Sequence, residues 1–201
     1  MDAEITASTG VDALCHAIEA FVSTAHSPIT DLHALQAVGL VASNLLRTIR
    51  EPDNLVLRGR MMLASLEAGL AFSNASLGAV HAMAHSLGGF LDYAHGDCNA
   101  ILLPHVIAFN FEAARNRYVE IGRAMGLETG GVASAKAHSA IRAELARLTR
   151  AAGIPATLGQ LGVSRDDIPG LAERAMCDPC IFTNPRQPSR KDIEAIYEQA
   201  F

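Results

Sequence analysis

Apolar residues recur at steps of three and four along nearly the whole chain, the period of a helix with one face turned to a core. Val11, Leu14, Ile18 and Phe21 form the first such stripe. Ser27-Pro28 pairs a capping residue with proline at the first helical position and predicts the start of a long apolar helix through Leu32 to Ile49. Asp53 or Asn54 caps the next, which runs through Met61 and Leu66 to about Phe72. Ser76 opens another, with Leu77, Val80, Ala84, Leu87 and Leu91 on one stripe. Gly88-Gly89 and the segment A-H-G-D at 94–97 predict a break. In I-L-L-P-H-V-I-A-F-N, Pro104 is placed to begin a helix. Arg115 to Met125 and Ala133 to Ala152 follow, and Gly130-Gly131 reads as a helix end. Ser164-x-x-Asp167 and Ser189-x-x-Asp192 resemble capping boxes ahead of the last two helices.

No clean alternation of the strand period appears, and no βαβ pattern. Neither G-x-G-x-x-G nor the phosphate-binding G-x-x-x-x-G-K is present. The expectation is an all-α fold, an irregular bundle of about seven to nine helices forming a single domain over 1–201.

Composition narrows the function classes. Half of the 201 residues are hydrophobic, enough for a large core, and the net charge is -5 with no basic cluster. No nucleic-acid partner is expected. Mean hydropathy is +0.20, but no apolar run reaches the ~18 residues of a membrane span. The acidic start, Met1-Asp2-Ala3-Glu4, lacks a signal-peptide pattern. A cytoplasmic protein without a membrane partner is expected, with Cys15, Cys98, Cys177 and Cys180 reduced. A single C-x-x-C, Cys177-Asp178-Pro179-Cys180, cannot make a four-cysteine zinc site. His26, His33 and His138 stand in polar company and read as surface residues. His105 reads as a core histidine, and Arg142 to Arg150 as a solvated face.

Eight histidines are many for this length, and three fall between residues 81 and 95. Residues four apart share a helix face. At about 100° per residue, Asp12 and His16 project nearly opposite the Val11-Leu14-Ile18-Phe21 stripe. Alone, the pair fits a solvated polar face or a pair of metal ligands facing a cleft. His81 and His85 repeat the step on a helix apolar enough to be buried, where histidines need partners. Gly78, Ala82 and Gly89 beside them allow close approach of another body. His95 follows in a loop. One carboxylate with several imidazoles suits Fe(II) or Zn(II). Such a metal acts as a Lewis acid and lowers the pKa of bound water to about 7, chemistry that fits alcohol oxidation or carbonyl reduction. Spacing does not choose which four of the five residues bind it.

Four motifs in order are similar to those of the iron-containing (group III) alcohol dehydrogenases. They are T-G-V-D-A-L-C-H-A-I-E-A-F at 9–21, A-F-S-N-A-S-L-G-A-V-H-A-M-A-H-S-L-G-G at 71–89, H-G-D-C-N-A-I-L-L-P-H-V at 95–106 and C-x-x-x-N-P-R at 180–186. The resemblance implies the family's C-terminal helical domain, with Asp12, His16, His81 and His95 as metal ligands. It implies His85 as a cleft histidine near the nicotinamide, suited to proton relay, and Phe72 and Cys180 as walls of the substrate pocket. Glycerol dehydrogenases lack the histidine four after the aspartate, and maleylacetate reductases tend to have lost the aspartate. Both residues stand here, which favours the metal-dependent alcohol dehydrogenase branch. The substrate class implied is a small alcohol or aldehyde. Family members carry an additional N-terminal α/β half that binds NAD(P), and no such half lies within these residues. The chain is then a fragment, the companion of a separate nucleotide-binding chain, or a non-catalytic metal-binding or assembly module, such as a helical homo-oligomer.

Overall fold

The structure, a computed structural model, describes residues 1–128 and 134–201. It contains α1 (Ala3–Val22), α2 (Pro28–Arg50), α3 (Leu55–Ala75), α4 (Ala79–Leu91), α5 (His95–Asn110), α6 (Arg115–Ala124), α7 (Ser134–Ala151), α8 (Leu158–Leu161), α9 (Ile168–Met176) and α10 (Arg190–Gln199). Two 3-10 turns, Arg165–Asp167 and Pro179–Thr183, flank α9, and no strand occurs among the described residues. The all-α expectation holds. Among the described residues the helices number ten rather than seven to nine because α8, a single turn, is too short for periodicity to reveal. Gly130-Gly131, expected to end a helix, and Ala133, expected to begin one, lie outside the described residues.

Local capping chemistry set several boundaries as expected. Ser27 and Thr30 form a reciprocal capping box with Pro28 at the first helical position of α2. Asn54, not Asp53, accepts the Val56 and Leu57 N–H groups at the start of α3. Ser189 and Asp192 cap α10 reciprocally.

Other boundaries moved. Ser76 opens no helix: it ends α3 in the left-handed region, φ 61°, with its N–H on Phe72 O. Gly88-Gly89 lies inside α4, and Asp92 (φ 58°) takes the left-handed position that ends the helix. His95 is the first residue of α5, not part of a loop, and Pro104 sits inside α5. The missing N–H costs one helical bond. Its neighbours Ile101, Leu102, Leu103, Val106 and Ile107 are buried and hold the segment helical. Ser164 accepts the Asp166 N–H and starts a 3-10 turn, so the expected box with Asp167 does not form.

One hydrophobic core runs from α1 to α10. Helix α1 lies at its centre and packs on α2, α3, α5 and α6, while α4 packs on α5, α9 and the Pro179–Thr183 turn. Leu14, Ile18, Phe21, Leu45, Met83, Leu87, Leu102, Tyr118 and Tyr197 are fully buried, each apolar side chain stabilising by roughly 1.5–3 kcal/mol. Helix α3 faces inward with Leu57, Ala64, Ala68, Ala71 and Ala75, and turns Met62 and Leu66 to solvent. Small residues let it approach α1 and α2 closely. Helix α2 is long and apolar enough to cross a membrane, with a mean hydropathy of 1.2 over its best window. The sequence shows no unbroken apolar run there because Asn44 and Thr48 interrupt it. Its Ala34, Ala37, Val38, Val41 and Leu45 lie in the core.

Gly96 brings the start of α5 against α1. A Cβ there would lie 2.3 Å from the Ser8 carbonyl oxygen and 2.5 Å from its Oγ. Backbone cannot yield as a flexible side chain can. Gly96→Ala is expected to destabilise the fold by about 1–3 kcal/mol through overpacking. Chemical denaturation checks this, and an unchanged midpoint would refute the close contact.

Candidate metal centre

Three helices each bring one four-residue step to the same place: Asp12 and His16 from α1, His81 and His85 from α4, His95 and Asn99 from α5. Asp12 and His16 do not form a solvated face. Helix α1 is enclosed on nearly all sides, and its polar side is turned toward α4 and α5. Asp12 Oδ1 lies 3.7 Å from His81 Nε2 and 3.5 Å from His95 Nε2. One ligand atom from each of Asp12, His81 and His95 falls within 4.8 Å of the others. The fourth expected ligand, His16, stands alongside but outside that cluster. Its Nδ1 meets the Asp12 carbonyl oxygen at 2.9 Å, and its ring packs 4.2 Å from that of His81.

His81 is wholly buried, as the apolar character of α4 predicts, and its partner is Glu19 of α1. His81 Nδ1 and a Glu19 oxygen are 2.6 Å apart, and Glu19 also accepts the Val80 and His81 backbone N–H groups. The carboxylate thereby caps α4, whose own cap residue, Gly78, has no side chain to offer. Gly78 is required there because a Cβ would lie 2.8 Å from both Glu19 Oε1 and Asn184 Oδ1. At Gly78 the body that approaches is thus a carboxylate, whereas beside Gly89 the space is open. A carboxylate that fixes one imidazole nitrogen leaves the other free to ligate.

The imidazoles of the site are shifted in opposite directions. Burial opposes a proton on His81, but the nearby Asp12 carboxylate and the hydrogen-bonded Glu19 carboxylate outweigh it and push its pKa up to about 9. Burial raises Asp12, yet the nearby His81, His16 and His95 imidazoles bring it below the usual carboxylate value. Burial and then the charge of His81 lower His16 to about 4, against the pull of Asp12. His95 is lowered by burial, with Asp12 opposing.

Asn99 reports where a cation fits. Its Nδ2 lies 2.6 Å from Asp12 Oδ1, 3.1 Å from His81 Nε2 and 3.1 Å from His95 Nε2. An amide nitrogen has two hydrogens and cannot serve three acceptors. Its Oδ1 is buried without a partner. A carboxylate oxygen and two imidazole nitrogens around one over-subscribed point match the ligand chemistry of Fe(II) or Zn(II).

His85, one turn after His81, reaches the solvent edge at 45% side-chain exposure, so only one of the two α4 histidines is buried. Its ring stacks on His95 at 5.3 Å, and its Nδ1 meets Asp178 Oδ2 at 2.8 Å. Asp178 Oδ1 accepts the Cys180 N–H. Burial raises Asp178, but the bonds from Cys180 and His85 hold it below its usual value. Phe72 packs on His16 with ring centroids 4.4 Å apart.

Glu19, Asn99 and Asp178 were not singled out from the sequence. Glu19 stands seven residues after Asp12 on the same face, and Asn99 four after His95, so the helical step could have found both. Asp178 sits within the C-x-x-C, where attention went to the cysteines. The remaining histidines stand apart. His26 is exposed, but His33 is half-buried against Glu67 and His138 half-buried beside Phe111, so the expected surface position holds only for the first. His105 is half-buried, lowered by burial and by Arg142. The four cysteines carry free thiols.

The pattern of the Fe-containing alcohol dehydrogenase family, C-terminal, matches residues 6–201. The chain belongs to this family. A 1,3-propanediol dehydrogenase of Citrobacter freundii is 46% identical over 199 residues, which cover 99% of this chain and 51% of that protein. Alcohol dehydrogenase 4 of Saccharomyces cerevisiae (strain ATCC 204508 / S288c) is 43% identical over 199 residues, covering 98% of this chain and 50% of that protein. The crystal structure of a 1,3-propanediol oxidoreductase superposes with a TM-score of 0.97 at 45% identity, covering all of this chain and 53% of that one. The chain therefore spans about half the length of the relatives it matches. The fold is that of the C-terminal half of Fe-containing alcohol dehydrogenases.

Proposed function

We propose that Asp12, His16, His81 and His95 hold one divalent metal, Fe(II) or Zn(II), and that the chain is the metal-bearing half of an NAD(P)-linked alcohol dehydrogenase or aldehyde reductase. The observation that carries this reading is the Asn99 nitrogen shared by one carboxylate oxygen and two imidazoles. When bound, the metal supplies a Lewis acid for the substrate oxygen. NAD(P), held by a nucleotide-binding half, supplies the hydride acceptor. Glu19 holds His81 in the orientation that turns Nε2 to the site. Asp178 accepts the His85 Nδ1 proton in a hydrogen bond and leaves Nε2 to take or return the hydroxyl proton. Phe72 and Cys180 wall the pocket for a small alcohol or aldehyde. The names of the relatives support that substrate class.

The test is elemental analysis of untagged chain purified anaerobically, then turnover of a small aldehyde with NAD(P)H. About one iron or zinc per chain is expected. Turnover is expected when the nucleotide-binding half is supplied. No metal after reconstitution would overturn the ligand assignment.

One observation favours a second reading. The outer face of α3 exposes Leu55, Val56, Met62 and Leu66, at 83%, 65%, 74% and 58%. A patch of this kind marks an interaction surface and suits an assembly module. Metal retained without turnover, even with the second half present, would select that reading.

A further inference from the structure

A second group of donor atoms lies beside the first. A His85 ring nitrogen, an Asp178 carboxylate oxygen and the Cys180 sulfur all fall within 4.8 Å of one another. Helix α4 supplies the histidine, and the segment entering the Pro179–Thr183 turn supplies the other two. The group is built rather than scattered. Asp178 Oδ2 meets His85 Nδ1 at 2.8 Å, and Asp178 Oδ1 accepts the Cys180 N–H at 2.8 Å. A cavity of about 310 Å³ opens beside His85 and Asp178, with Arg174 and Cys177 also on its wall.

The donor set differs from that of the first centre in one respect that matters. It contains sulfur. Nitrogen, oxygen and thiolate together favour a soft or borderline dication over a hard one. The ligand charges also balance: one carboxylate and one thiolate neutralise a dication. Its neighbour across the His85–His95 stack therefore meets little added repulsion. We propose that His85, Asp178 and Cys180 form a second cation site, for Zn²⁺ or Cd²⁺, separate from the Asp12–His95 centre.

Binding has a definite proton balance. Cys180 loses its thiol proton to solvent as the sulfur–metal bond forms. The imidazole proton of His85 moves from Nδ1 to Nε2, because Nδ1 must now offer its lone pair. Nε2 then carries hydrogen and cannot accept a hydroxyl proton. Excess zinc would thus silence the proton route while leaving the first centre filled. The site stands on its own geometry and does not depend on the alcohol dehydrogenase reading.

Cadmium titration of the metal-stripped full chain tests it, read by the ultraviolet thiolate-to-cadmium absorption. The first centre contains no sulfur and gives no such band. The wild type should show the band. Cys180→Ser should lose it, while Cys177→Ser and His95→Ala should keep it. Asp178→Asn should weaken the cadmium binding that gives the band by about 10- to 100-fold. No band at excess cadmium would overturn the proposal, as would a band that survives Cys180→Ser or vanishes in Cys177→Ser. Should Cys180→Ser fail to fold, alkylation of the wild type decides the matter. Zinc should protect Cys180 while Cys177 still reacts, and equal reactivity with and without zinc would refute the site.

Discussion

His95→Ala removes the metal. The expected content falls from about one ion per chain to a small fraction of that, because the site rests on few ligands and each is first in line. This replacement is the cleaner of two. His95 is 38% exposed in its side chain, so the metal-free variant should melt as the metal-free parent does. His81→Ala should also abolish binding, but it further strands the Glu19 carboxylate in the core, a loss of about 3–5 kcal/mol when one partner of a buried pair is removed. Elemental analysis of both variants, with thermal unfolding of the metal-free proteins, separates the two effects. Stoichiometric iron retained in either variant would sink the ligand assignment.

Glu19→Ala should damage both fold and site. Only 3% of Glu19 is exposed, and its carboxylate serves the Val80 N–H, the His81 N–H and the His81 ring together. Its removal leaves the start of α4 uncapped and breaks a buried pair, an expected loss of about 3–5 kcal/mol. Glu19→Gln keeps one acceptor oxygen and should lose about 1–3 kcal/mol, the range for an unmet buried hydrogen bond. In the glutamine variant, metal affinity should drop by about 10- to 100-fold, as happens when a ligand loses its supporting carboxylate. Denaturant titration reads the first effect and chelator competition the second. Wild-type stability in Glu19→Ala would show that the carboxylate does not hold α4.

Much of this was written along the chain. The step of three and four identifies most helices, and the short-range chemistry of Ser27-Pro28, Asn54 and Ser189 sets three of their starts. The pairs Asp12/His16 and His81/His85 already announce metal chemistry, since residues four apart must share a face. What failed to show were features whose cause lies far off in sequence. Ser76 looks like a cap, but α4 is capped from α1 by Glu19 and from the Asn184 side chain, which accepts the Ala79 N–H. Pro104 looks like a helix start, but burial of the residues around it carries the helix through. Met61 does pack against the core, but Leu66 is exposed, and an alanine row makes up most of the inner face of α3.

The sequence by itself determined an all-helical chain and the residue types of a nitrogen-and-oxygen metal centre, because both follow from local periodicity and side-chain chemistry. Only the tertiary structure decided that ligand atoms of Asp12, His81 and His95 come within 4.8 Å of one another, with His16 beside them and its Nδ1 on the Asp12 carbonyl oxygen. Only it showed that Glu19 and Asn99 bond to members of this cluster, and that His85 bonds to Asp178. Those outcomes depend on how α1, α4 and α5 cross. Close approach at Gly78 and Gly96 sets that crossing, and contacts between residues tens of positions apart leave no period to read.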